Sequence, residues 1–182
     1  IQEFVEEFQV QHENEDESYS IPSFVDATET GGVIAVGSQS KVDSQDDSFI
    51  GNKAQVASVF QCSSSKKSPS SFTNAIIENN EVLASSQDTS NAQTGDATLK
   101  LFDCSIKLDN VKMSGNVASF LASGLSLASS TIVAENSTFS NQGGEKMTAF
   151  LLAVAESRVN LTGCRFEKGV GTNGAVQTLR SF

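Results

Sequence analysis

Asp43, Asp46 and Asp47 fall within five consecutive positions. Carboxylates so close together are the usual starting material for general acid–base attack on a glycosidic bond. That chemistry also needs a cation to hold a sugar acid or take its proton. The three arginines, Arg158, Arg165 and Arg180, lie more than a hundred residues downstream. The one histidine, His12, stands in the acidic run "QHENEDES", and no GxSxG elbow or phosphate loop is present. "ENEDES" has carboxylates enough for calcium but lacks the ligand spacing and the glycine of a calcium loop. No catalytic residue, cofactor or metal is therefore expected.

Two other groups of residues carry chemistry. Asn136-Ser137-Thr138 and Asn160-Leu161-Thr162 are N-glycosylation sequons. Three cysteines, Cys62, Cys104 and Cys164, cannot all pair within one chain, and none belongs to a CxxC. One disulfide with one free thiol, or three buried thiols acting as small hydrophobes, both fit. The Ser-rich stretches at 62–73 and 85–96 read as surface loops.

The elements that position these residues follow from composition and rhythm. Ser and Thr make up 40 of 182 residues, Pro is nearly absent and Trp is absent. Ser and Thr compete with helical backbone bonding and suit short strands joined by polar turns. Ile106, Ile132 and Val159 recur at 26- and 27-residue steps. Leu108, Ala134 and Leu161 do the same, as do Val111, Ser137, Cys164 and Met113, Phe139, Phe166. An earlier copy aligns Phe49, Gly51 and Asn52 with Met113, Gly115 and Asn116, and another runs through "FTNAIIENNEVLASS". A period in this range with several short strands per repeat predicts a solenoid. Each coil must place an apolar residue inward, but any that fills the space will serve, so rhythm persists while identities drift. At about 26 residues per coil, residues 31–182 make five to six coils of three short strands, each coil ~4.8 Å above the last. Aligned Asn110 and Asn136 suggest an internal amide ladder at a coil corner, and Asn160 sits about one position out of line.

On these residues the chain resembles a right-handed parallel β-helix of the pectin-lyase-like superfold. More narrowly it is similar to surface proteins built on GGAI and FxxN repeats, the polymorphic outer-membrane-protein type. "GGVI" (residues 31–34) and "NGAV" (173–176) resemble the first motif, and Phe49-Ile50-Gly51-Asn52 matches the second. "CRFEKG" keeps the Phe but has Gly169 in place of Asn. The resemblance implies the fold, a right-handed parallel β-solenoid.

Residues 1–30 differ from this texture and read as an N-terminal extension. Phe4, Val5, Phe8 and Val10 lie between acids, as a short amphipathic helix or a strand. Such a strip can cap its own first coil or reach a neighbouring subunit; in the latter case these four residues are the subunit contact. A head-to-tail contact does not close, so it builds filaments. A net charge of −10 disfavours nucleic acid as a partner, and the longest apolar run, "AFLLAVA", is too short for a membrane helix. The chain starts at Ile1 rather than Met, which suggests a processed product or a segment of something longer. The expected function is mechanical: a glycosylated subunit of an extracellular or cell-surface fibre, coat or adhesive stalk. The alternatives are a monomeric adhesin for glycans or proteins and a small carbohydrate-active β-helix enzyme.

Overall fold

Alternation along the repeats is what the fold uses. In Thr131–Glu135 the odd members face outward and Ile132 and Ala134 are buried. The computed structural model describes residues 33–37, 40–54, 57–83, 97–118, 122–144, 150–171, 174 and 176–179. Within them the chain is all-β, a parallel β-solenoid of about four turns. Three parallel sheets run along it, of nine, five and four strands.

The largest sheet folds around a corner. One arm stacks Ile34–Gly37, residues 60–63, residues 99–102, Leu125–Ala128, Leu151–Val154 and Val176–Leu179. The other stacks Asp43–Gln45, residues 71–73, residues 105–109, Thr131–Glu135 and Arg158–Thr162. The second sheet stacks Ser48–Ile50, Ile76–Glu78, Lys112–Ser114, Thr138–Ser140 and Arg165–Glu167. The third stacks Lys53–Ala54, Glu81–Val82, Val117–Ala118 and Gly143–Gly144, with an isolated bridge to Val170. Four turns thus carry a strand at every position, slightly fewer than the five to six coils expected. A fifth turn is complete except on the third sheet, and Val176–Leu179 begins another.

Three of the columns read from the rhythm are ladder registers. Ile106, Ile132 and Val159 stack, as do Leu108, Ala134 and Leu161, and Met113, Phe139 and Phe166. The inward columns form one core, in which Phe60, Phe72, Leu99, Leu108 and Leu127 are fully buried. Removing side chains of this size from water contributes about 1.5–3 kcal/mol each. Phe49 and Phe60 meet the Phe72 ring edge-on, at 5.8 and 5.4 Å. Higher up, Phe139 and Phe166 stack in parallel at 4.9 Å.

The corners repeat as strictly as the strands. Between the arms of the large sheet, Ser64, Asp103, Ser129 and Ala155 all have φ near +50°. Between that sheet and the second, Asp46, Asn74, Asn110, Asn136 and Gly163 do so. Between the second and third, Gly51, Asn79, Gly115, Asn141 and Lys168 complete the pattern. A left-handed residue reverses the chain in one step, and Gly, Asn and Asp adopt it at the least cost. That preference explains why Asn and Gly punctuate each repeat.

One expectation is corrected. The Ser-rich stretch 62–73 is not a projecting loop but part of the strand Ala57–Thr73. The ladder of that strand to residues 97–109 slips by one between Ala57 and Phe60 and by three between Ser65 and Ser70. Ser65 and Ser70 replace inward hydrophobes at the corner, and the Ser70 hydroxyl accepts a bond from the Val42 amide at 3.1 Å. Residues 85–96, read as a second loop, lie outside the described residues.

Candidate functional site

Each of the three clustered aspartates is engaged by its own coil or the next. The Asp43 carboxylate accepts the Ser71 hydroxyl at 2.8 Å and pairs with Lys41 at 3.2 Å. Asp46 accepts the Asn74 amide at 2.8 Å. Asp47, buried, accepts the Ser44 hydroxyl at 2.8 Å. Asp47 is buried, whereas Asp46 is exposed at a left-handed corner and Asp43 is half-buried at the end of a strand. Among the described residues no three His, Cys, Asp or Glu side chains gather to hold a metal ion, and no helix is long and apolar enough to cross a membrane. His12, the run "ENEDES" and the proposed contact residues Phe4, Val5, Phe8 and Val10 lie outside the described residues.

The cysteines divide. Cys62 and Cys104 form a disulfide with Cα atoms 6.2 Å apart, and both are buried. They join consecutive coils across the slipped corner, because Cys62 stands in register with Leu101 and Cys104 with Ser65. Cys164 is free, half-buried in the uppermost described corner.

Two amide ladders run up the stack, and only one was foreseen. The outer ladder is the one expected at Asn110. The Asn110 Nδ2 donates to the Asn74 side-chain oxygen Oδ1 at 2.9 Å, and the Asn74 Nδ2 donates in turn to Asp46. It is exposed rather than internal. Asn136 continues its left-handed column, and its amide N–H bonds to the Thr162 carbonyl. The inner ladder consists of Asn52, Asn80 and Asn116, all buried. The Asn80 side-chain oxygen accepts both the backbone N–H and the Nδ2 of Asn52, at 2.9 and 2.8 Å. Asn116 does the same for Asn80, at 3.0 and 2.8 Å. Each Nδ2 also reaches a carbonyl of the coil below: Asn80 to Phe49 O and Asn116 to Ile77 O. Gln142 occupies the next rung, and there its side-chain oxygen is buried with no partner. The signal was present in the sequence: the Asn that closes FxxN, Asn52, recurs at the matching place as Asn116.

The sequons occupy different ground. Asn136 is exposed at a corner. Asn160 is exposed in the middle of Arg158–Thr162, opposite Val133 and Lys107, three residues before the corner rather than one out of line. Lys107 bridges two stacked acids that would otherwise face each other, at 3.7 Å from Asp109 and 3.4 Å from Glu135.

The upper edge of the stack is the other feature that sequence reasoning did not locate. Arg158–Thr162 and Arg165–Glu167 pair with the coil below and, among the described residues, with none above. Val159, Leu161, Cys164 and Phe166 point into the core but are only partly buried, while their counterparts one coil down are covered. Val170 is 69% exposed. This edge can accept another parallel rung through its backbone and bury four apolar or thiol side chains in doing so.

Comparison with known proteins returned no matching family model, no curated protein and no solved structure.

Proposed function

We propose that this chain is a structural building block of an extracellular or cell-surface assembly, a β-solenoid that stacks head-to-tail and carries N-linked glycans on its flank. The observation that carries the reading is the upper edge. Its backbone pairs on one side only among the described residues, and its inward side chains are half-covered. A buried disulfide between adjacent coils fits an oxidising compartment. The likeness to GGAI/FxxN surface repeats points the same way, since the motif's Asn52 begins a buried ladder that a stack of coils requires. Exposed Asn136 and Asn160 project from the sides, where glycans would discourage lateral sheet pairing without blocking axial growth.

The test is sedimentation velocity of the chain secreted from a eukaryotic host, over a concentration series, with negative-stain images of the same samples. Head-to-tail stacking gives particles that lengthen with concentration at constant width. Compact particles of one size at every concentration would refute it.

A further inference from the structure

Within Ala57–Thr73 the chain leaves its ladders for four consecutive residues. Ser65 stands opposite Cys104 and Ser70 opposite Ile106, so Lys66, Lys67, Ser68 and Pro69 share the space of one residue, Ser105. The coil below pairs with residues 60–63 and 71–73 and passes over the same four. Pro69 has no N–H to offer a ladder, and it holds Ser68 extended. Lys66, Lys67 and Pro69 are exposed. The bulge is held lightly. Lys66 O accepts the Ser105 hydroxyl at 3.0 Å, and Ser68 O accepts that of Ser65 at 3.5 Å.

We propose that this bulge is a cleavage site for a trypsin-like serine endoprotease, with Lys67–Ser68 as the bond that is cut. Such an enzyme takes a lysine side chain into a pocket floored by a carboxylate. It binds the flanking residues as an extended strand, through their backbone groups. A strand already bonded on both edges cannot enter that cleft, whereas these four residues can. Lys53, Lys107 and Lys112 stand within paired strands, and Lys66-Lys67 is the one adjacent pair of bases in the sequence. One water is consumed: the Lys67 carbonyl leaves as a carboxylate and the Ser68 nitrogen as an ammonium group.

The disulfide decides what the cut produces. Cys62 precedes the bond and Cys104 follows it, and both are buried. Residues 1–67 and 68–182 therefore stay one molecule. Ladders from Ser48–Ile50 to Ile76–Glu78 and from Lys53–Ala54 to Glu81–Val82 also cross the division. The product is a two-chain solenoid rather than two fragments. None of this rests on head-to-tail stacking, because a monomer is cut in the same way.

The test is limited trypsin digestion of the full oxidised chain, with denatured masses read before and after reduction. The first product should be one water heavier than the parent and should split on reduction into residues 1–67 and 68–182. Lys66→Ser with Lys67→Ser should slow the first cut by about tenfold or more, because every other site must wait for paired strands to open. An unchanged unfolding midpoint would show that this variant keeps the fold. A first cut elsewhere, a product that separates before reduction, or equal rates for parent and variant would each overturn the proposal.

Discussion

Replacing Gln142 with Asn should make the protein more stable. In the lower coils Asn80 and Asn116 each accept two hydrogen bonds from the coil beneath, all between 2.8 and 3.0 Å. Gln142 stands on the next rung, but its extra methylene carries the oxygen past that position. The oxygen is buried and unpartnered, and the Nε2 makes one long bond, 3.4 Å, to Ser140 O. Asn at 142 would bring a carbonyl oxygen over the Asn116 amide and side chain. Two buried bonds at a net of about 0.5–1.5 kcal/mol each, and relief of an orphaned acceptor, favour Asn. One lost methylene opposes it by about 0.8 kcal/mol. The net expectation is a gain of about 1–2 kcal/mol, read as a higher urea midpoint with an unchanged slope. Gln142→Met separates the two contributions, because it removes the orphaned oxygen without building a rung. A Gln142→Asn midpoint no higher than the parent's, or no higher than that of Gln142→Met, would refute the ladder argument.

Within the same ladder, Asn80→Ala strands the Asn52 backbone N–H and side-chain amide, and takes the Nδ2 donor from Phe49 O and from the Asn116 oxygen, which keeps the backbone N–H of residue 80. It should cost about 3–5 kcal/mol in urea unfolding, the sum of several buried orphans. Changing Cys62 and Cys104 together to Ala releases a 42-residue separation and should cost about 4 kcal/mol by loop entropy, measured against the oxidised parent. Gly115→Ala should lower stability by about 1–3 kcal/mol, because φ is +64° and the new methyl would meet the Asn79 side-chain oxygen. In a secreted sample, enzymatic removal of N-glycans should lower the mass, and Asn136→Gln with Asn160→Gln should abolish that shift.

The fold was legible because a parallel stack imposes one demand at each level. An inward position must be apolar, so Ile106, Ile132 and Val159 could be aligned although few neighbouring identities match. What escaped was polar. Asn52 and Asn116 were seen as punctuation, yet their burial depends on partners one coil away, which no local pattern displays. The Ser-rich stretch 62–73 looked like a loop because outward serines and lysines dominate it. Cys62 and Phe72 still face the core, and the corner serines are satisfied across coils. The coil count came out high because residues were divided by a uniform period, whereas Phe60 and Leu99 occupy successive rungs 39 residues apart. The upper edge was hidden for the same reason as the ladder: exposure at Val159 or Phe166 depends on what lies above, not on the residues themselves.

The three columns of left-handed corners make this chain tolerant of some insertions and not of others. A duplicated segment of about 26 residues brings its own strands and its own three corners, so it adds a rung and shifts nothing else. A segment of any other length cannot keep all three corners in column, so its surplus must leave the ladder. The interval from Phe60 to Leu99 has thirteen residues more than the step from Leu99 to Leu125, yet each rises by one rung. Stack height can therefore change only in whole rungs, whereas the flanks can vary residue by residue. In a lineage of such chains, length along the axis would be counted and decoration of the sides would be continuous.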